Sequence, residues 1–415
     1  IHPYAYSVLL DQENIQVDYA LSHQSGMYTF TFPTTSTKYL QFNSQEGKLQ
    51  WDGQGLSGTQ DIGNGTYVYI YAIPESKPVA VKRLQGQQLE NATETAGKNS
   101  CMVLEFNQAG TSLRMKYGVS FIDVAQAKAN LKREISDFDQ KKLAEKGRKI
   151  WNDALGKIAV EGDNESNKHV FYTSLYRTYE RPVNISEDGR YYSAFDGKVH
   201  QDEGKSFFTD DWIWDSYRAH HPLRVLLDPG TESLILNSFV RMSEQMEQPW
   251  LPTFPEITGD SRRMNSNHGV ATLLDAYRKG VRNFDIKKAY LAAKGAITEK
   301  TLAPWSGKAA GKLDEFFKEK GYIPALYPGE KETIPEVNGF ERRQPVAVTL
   351  GTSYDLWCLA QLAQELGIQA DYDLFMKQSF NYRNLFNEQT KFFHPKDDKG
   401  NFIMPFDYVF SGGQG

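Results

Sequence analysis

The hydrophobic period of this chain changes near residue 125, and that change constrains the fold more tightly than any bulk property. Before it, short alternating or aromatic runs dominate: residues 27–32 (MYTFTF), 48–51, 67–73 (YVYIYAI), 102–106 and 113–121. Turn signals such as Gly63-Asn64-Gly65 and Gln108-Ala109-Gly110 punctuate them. Period-two runs at this spacing, with no helical pattern between them, predict an antiparallel β-sandwich. After residue 125, apolar residues recur at three- and four-residue spacing. Residues 124–155 read as one long helix or a helix pair. Further helical patterns occupy 166–179, 216–227, 230–247, 267–279, 286–302, 313–320, 348–366 and 371–386. Irregular loops join them, including a long polar one over 327–343. Many helical hairpins with loops at one end predict a helical toroid. No short-period repeat is visible, which argues against a solenoid. The expected division is a β-sandwich over 1–125, linker helices over 126–160 and a helical domain over 161–415.

At 415 residues the chain exceeds one ordinary core, and two or three domains are expected. Its net charge of −5 is spread over interspersed acidic and basic residues, which gives no reason to expect nucleic acid or an anionic membrane as partner. The two cysteines, Cys101 and Cys358, form neither a disulfide framework nor a zinc pattern. No apolar run approaches the roughly 18 residues that a membrane span needs. The Walker A sequence, HExxH and GxSxG are all absent. His220 and His221 are adjacent and would point about 100° apart on a helix, a poor chelating pair.

What remains is carboxylates among aromatics. The run Phe207-Phe208-Thr209-Asp210-Asp211-Trp212-Ile213-Trp214-Asp215-Ser216-Tyr217-Arg218 combines flat apolar faces with groups that bind hydroxyls directionally. It can hold a sugar ring, or it can be a buried aromatic seam with an Asp–Arg pair. Carboxylates with aromatics are the equipment of glycoside chemistry.

Motifs in order make the comparison specific: Tyr172-Thr173-Ser174-Leu175-Tyr176-Arg177, Asp188-Gly189-Arg190-Tyr191, Trp214-Asp215-Ser216-Tyr217-Arg218, His221-Pro222-Leu223, Trp250-Leu251-Pro252 and residues 264–268. Asp275-Ala276-Tyr277-Arg278-Lys279-Gly280, Gly321-Tyr322-Ile323-Pro324 and Tyr354-Asp355-Leu356-Trp357 continue the series. The chain resembles the glycoside hydrolase family 92 α-mannosidases over essentially its whole length. The resemblance implies a supersandwich-like β domain followed by an (α/α)6 toroid, and removal of terminal α-mannose from glycans with inversion. It implies a calcium ion that contacts the sugar's 2- and 3-hydroxyls, and a periplasmic or secreted setting. Trp214 and Asp215 would grip the terminal mannose, with Arg218 orienting Asp215 or lining the pocket. Arg263, Asn265 and His268 are further substrate-binding candidates, and Trp250 is expected in the core.

Two departures from the family pattern matter. The family's acid-bearing helix reads Thr-Leu-Glu-Tyr-Ala-Tyr-Asp-Asp-Trp, and the matching stretch here is Thr349-Leu350-Gly351-Thr352-Ser353-Tyr354-Asp355-Leu356-Trp357. Gly351 cannot donate a proton, and loss of a general acid costs about 10² to 10⁴-fold on a poor leaving group. The resemblance then favours a leaving group that needs no proton, such as the phosphate of a mannosyl phosphodiester, for which Gly351 would leave space. Asp355, one turn along, or Glu341 could serve instead, or the chain could be a mannoside-binding homologue without catalysis. The family also continues beyond the point matching Phe410–Gly415, into segments that supply the catalytic base and calcium ligands, and it has a segment before Ile1. An internal portion that needs its remainder is therefore expected, with no metal ligand nameable here.

Overall fold

The structure, a computed structural model, describes residues 2–33, 37–107 and 110–409. Residues 108 and 109 of the expected turn, and segment 410–415, lie outside the described residues. The chain forms two compact units, one of Ile1–Glu180 with Ile185–Gln201 and one of Arg181–Asn184 with Asp202–Gly415. The first helices, set apart by sequence periodicity as a linker, therefore group with the strands.

The first unit is built on one antiparallel hydrogen-bonded sheet. Its strands are β1 (Ala5–Leu10), β2 (Ile15–Leu21), β3 (Ser25–Thr31), β4 (Lys38–Trp51), β5 (Leu56–Gly63), β6 (Thr66–Pro74), β7 (Ala80–Gln85), β8 (Gln88–Asn91), β9 (Glu94–Phe106) and β10 (Ser112–Ser120). Their order is β1-β2-β3-β10-β6-β5-β4-β9-β7-β8. In β4 the inward residues switch phase, from Leu40 and Ser44 to Leu49, and the switch lies opposite the left-handed Asn99 of β9. Both halves of this long strand can thereby bury apolar side chains. Leu40, Leu49 and Leu56 join Met102, Leu104 and Phe106 in one core cluster. β1, β5, β7 and β8 carry no clean alternation, because much of their surface is solvated; the four residues of β8 are all exposed.

The expected helix pair is α1 (Val124–Glu134) and α2 (Gln140–Leu155), followed by α3 (Glu165–Arg177). Asp123 and Asp139 cap α1 and α2, accepting from the backbone N–H groups of Gln126 and Lys142. Ala127, Leu131, Ile135 and Leu143 pack with Ala20, Met27 and Tyr71 of the sheet. α1 approaches β10 so closely that a Cβ at Gly118 would collide with Ala127 O and lie 2.9 Å from Leu131 N.

The second unit is mostly helical: α4 (Ile213–Ser216), α5 (His220–Leu227), α6 (Pro229–Gln245), α7 (Gly269–Arg278), α8 (Ile286–Thr298), α9 (Lys312–Lys320), α10 (Pro345–Glu365) and α11 (Gln369–Gln378). The pattern over 216–227 resolves into α4 and α5. The pattern over 371–386 divides between α11 and a short 3-10 turn at Asn381–Leu385. α10 is apolar on several sides, as a helix buried in a core must be, and it packs against α7, α8 and α11. Pro345, with φ fixed near the helical value, opens it. Trp250 is buried, with Nε1 donating to Glu299 at 3.2 Å. No helix among the described residues is long and apolar enough to cross a membrane.

The Gly118 contact sets a test of the first unit. Gly118→Ala should cost about 1–3 kcal/mol, the range for overpacking against groups that cannot yield, because the obstructing atoms are backbone. Urea unfolding followed by circular dichroism checks it.

Candidate active site

Three helices of the second unit present one periodic face each to a common cleft of about 580 Å³. α10 contributes Ala347, Leu350, Gly351 and Tyr354; α7 contributes Ala271 and Asp275, with His268 immediately before its first residue. Those intervals of three and four are a single helical face. Trp214, Tyr217 and Arg218 come from α4 and the residues after it, and Asn265 from the loop before α7. The ring of Tyr217 lies 4.2 Å from that of His268 and 6.1 Å from that of Tyr354, so aromatic surface lines much of the cleft. Arg218 donates to the Tyr217 hydroxyl at 2.9 Å and is otherwise open to solvent.

Of the sequence-derived candidates, the cleft gathers Trp214, Arg218, Asn265, His268 and Gly351. Asp215 is exposed and is not among the residues lining this cleft; its carboxylate has no side-chain partner among the described residues, and of the two roles expected for Arg218 the geometry matches lining the pocket rather than orienting Asp215. Partial burial and the nearby Asp211 charge raise its pKa. Arg263 is exposed, 3.5 Å from Glu256, with its guanidinium 5.9 Å from the Trp305 ring, and does not line the cleft. Glu341 lies on the preceding loop and accepts from Gln344.

Two expectations about α10 are corrected. Asp355 does not share the open face of Gly351. It is fully buried, accepting from the Asn267 backbone N–H at 2.6 Å and facing His268 Nδ1 at 2.7 Å. Tyr354, between them in sequence, takes the outward position instead. Nor does Gly351 leave free space: a Cβ built there would collide with Ser266 Oγ and lie 3.0 Å from Ser266 Cβ. The volume next to the glycine is occupied by the loop.

That loop is held in an unusual backbone. Arg262, Met264 and Ser266 have φ of 52, 66 and 70°, a left-handed region that L side chains avoid. Asp260 fastens its start by accepting from Thr253, Phe254 and Arg262 N–H groups. Arg262 fills the space beside Gly307 as Ser266 fills that beside Gly351. Asp355 fastens its end. The His268 imidazole, when neutral, keeps its proton on Nδ1 toward Asp355. Nε2, which has no partner among the described residues, is then an acceptor.

Under α4 lies a buried ionic cluster that the sequence did not reveal. His221 Nδ1 is 2.9 Å from Glu232, and its Nε2 is 2.9 Å from Asp211, the latter as an ion pair whose angles do not make a hydrogen bond. Asp211 also accepts from Ser216 Oγ at 2.6 Å, tying the end of α4 to the cluster. Burial alone would lower the His221 pKa, but the Glu232 and Asp211 carboxylates outweigh it and push it up to about 10. Burial alone would raise the Asp211 carboxyl; the His221 charge leads the effects that hold it down. The adjacent-histidine spacing carries no hint of partners 10 and 11 residues away. Tyr354 and Asp275 were likewise missed as cleft residues; the helical spacing from Gly351 and His268 is the signal that finds them.

The residues present do not fit a calcium site. Among the described residues no group of three or more His, Cys, Asp or Glu side chains gathers to hold a metal. Among the described residues the cleft's only lining carboxylate, Asp275, is paired with Lys279 at 2.8 Å.

Two substitutions test this geometry. His221→Gln leaves two buried carboxylates without their cation and should cost about 3–5 kcal/mol at pH 7. Because the folded pKa of His221 lies above its ordinary 6.5, the charge's contribution is full below pH 6.5 and lost as pH rises toward 10. Urea unfolding between pH 6.5 and 10 should therefore decline more steeply in the wild type than in His221→Gln. Asp355→Asn keeps the volume and one acceptor oxygen but turns an amide N–H toward Nδ1, moving the imidazole proton to Nε2. Nitrogen NMR of His268 should show the tautomer exchanged, with the helical circular dichroism retained.

The sequence matches the Glycosyl hydrolase family 92 N-terminal domain over residues 1–120 and the Glycosyl hydrolase family 92 catalytic domain over residues 126–414. No curated protein matches the chain. Among solved structures, it is similar to the family GH92 inverting mannosidase BT2199 from Bacteroides thetaiotaomicron VPI-5482, with 27% identity and a TM-score of 0.86 over 98% of this chain and 54% of that one. It is also similar to the family GH92 α-mannosidase BT3965 from Bacteroides thetaiotaomicron, with 25% identity and a TM-score of 0.87 over 99% of this chain and 55% of that one. The same α-mannosidase in complex with mannoimidazole aligns with 25% identity and a TM-score of 0.85, over 98% of this chain and 53% of that one. The chain thus spans about half the length of the structures it matches. The order of β-sandwich and helical domain is the one expected from the sequence. On both domain matches, the chain belongs to glycosyl hydrolase family 92.

Proposed function

We propose that this protein acts as an α-mannosidase, removing terminal α-mannose from glycans with inversion, on substrates whose leaving group departs without protonation. The observation that carries the reading is the cleft itself: aromatic walls, an Arg218 guanidinium and an Asp355-oriented His268 surround position 351, where no acid stands. Trp214 and Tyr217 offer faces to a pyranose ring, and Arg218 and Asn265 offer N–H donors to its hydroxyls. His268 Nε2 provides an acceptor on the same wall.

General-acid assistance is the part of the reaction this cleft does not supply. Asp355 is enclosed, Glu341 is turned to Gln344, and Asp275 is paired with Lys279. A mannosyl phosphodiester meets that constraint, because phosphate leaves as a stable anion. The two structural relatives described as mannosidases, one of them in complex with mannoimidazole, support the sugar; the cleft supports the leaving-group class. Calcium dependence and a periplasmic or secreted setting belong to the same proposal. No step here runs through calcium, because the residues present do not form its site. The competing reading, a mannoside-binding homologue without turnover, is favoured by the same missing acid.

Hydrolysis of 2,4-dinitrophenyl α-mannoside, an unactivated α-mannobioside and a mannose-1-phosphate diester separates these readings. The proposal expects turnover of the first and third and at least 10²-fold less on the second. Brisk disaccharide turnover would reject the leaving-group restriction, and binding without turnover of any substrate would favour the binding homologue. Trp214→Ala should weaken mannoside binding about tenfold, through loss of ring contact, with little change in melting temperature.

A further inference from the structure

Position 351 presents a local contradiction. Gly351 is the seventh residue of the 21-residue α10, where glycine is less favourable than alanine by about 1 kcal/mol. Facing it, Ser266 sits at φ 70°, where glycine is favoured and serine is strained. Each residue stands where the other would be at home. Each choice is explained by the contact between them: the serine side chain lies where a Cβ on residue 351 would be.

The contact is not a loose one that a rotation would relieve without cost. Ser266 Oγ donates to Asn265 Oδ1 at 2.9 Å, Asn265 Nδ2 donates to Gln344 Oε1 at 2.6 Å, and Gln344 Nε2 donates to Glu341 at 2.6 Å. Turning Oγ away would break the first of these bonds and would still leave Ser266 Cβ 3.0 Å from a new Cβ. If the whole serine side chain were removed, the nearest remaining contact would be Asn265 Oδ1 at 3.6 Å, an ordinary van der Waals distance. A side chain at 351 and one at 266 therefore exclude each other, and Gly351 itself lines the cleft.

We propose that Ser266 and Gly351 form one coupled specificity determinant: Ser266 takes the volume a carboxylic acid on α10 would need, and so confines the cleft to glycosides that leave unprotonated. This rests on the mannosidase reading and deepens it. Ser266 acts as a positioning residue, holding the Asn265 amide at the cleft wall while blocking position 351. A further consequence is that Gly351→Glu alone does not restore acid catalysis, because the new side chain meets Ser266.

The test compares the full chain as wild type, Gly351→Glu, Ser266→Gly and the double variant on 2,4-dinitrophenyl α-mannoside and an unactivated α-mannobioside. The expected result is a gain of at least tenfold in mannobioside kcat/KM, relative to the activated substrate, in the double variant only. That gain should carry a new basic limb in the pH profile from the introduced acid. Melting temperatures of Gly351→Ala, in the Ser266 and Ser266→Gly backgrounds, read the packing without reference to activity. Alanine should raise Tm by roughly 2 °C in the second background and fail to do so in the first. Equal Tm changes in both backgrounds, with hydrolysis intact, would overturn the pairing. Unequal changes with no relative gain on mannobioside would overturn the specificity role. Unequal changes with no hydrolysis by any variant would overturn the mannosidase reading, and the specificity role with it.

Discussion

The second unit turns on one buried carboxylate. Asp355, in the middle of α10, takes the backbone N–H of Asn267 and the Nδ1 of His268. A carboxylate removed from water needs such donors to offset its desolvation. Here the donors come from the last residues of the loop preceding α7. One interaction therefore stabilises a buried charge, fixes where α7 begins and orients an imidazole at the cleft. It also holds the end of a loop whose left-handed residues would otherwise relax.

His221 does for α4 what Asp355 does for α7. Lodged between Asp211 and Glu232, it balances part of two buried negative charges, and Asp211 passes that anchorage to Ser216 at the end of α4. The opening stretch of carboxylates and aromatics thus divides by depth. Asp211 is structural, Asp210 pairs with Arg181 at 2.6 Å, and Trp212 is stacked between Arg181 and Phe254. Trp214, Tyr217 and Arg218 are left facing the cleft. The sugar-platform and buried-seam readings of that stretch describe different residues within it.

Gly351 shows how the space beside a helical glycine can be filled from another element. A glycine inside a helix could have left a void, which polar ligands or water would fill. Instead the loop closes on the helix, with the strain at Ser266 offset by its hydrogen bond and contact. Beside Gly351 stands a hydrogen-bonded chain of the Ser266 hydroxyl and the Asn265 and Gln344 amides, ending on Glu341, of which Asn265 reaches the cleft.

The period change near residue 125 was enough to separate strands from helices, because burial on one face writes itself into local spacing. It found β3, β6 and β10, the C-terminal ends of β4 and β9, and most of the helices within a few residues. It missed β1, β2, β5, β7 and β8, whose partly solvated surfaces leave no clean alternation, and it could not place the compact-unit boundary, which depends on what α1 and α2 pack against. Ordered motifs such as Trp214–Arg218 and the 349–357 stretch identified the family. They could not say that Asp355 is enclosed, that His221 bridges two carboxylates, or that Ser266 fills the space beside Gly351. Those facts join residues 10 to 88 positions apart, and only tertiary packing brings such residues within reach of one another. Sequence determined which chemical groups this chain carries; packing decided which of them meet the cleft.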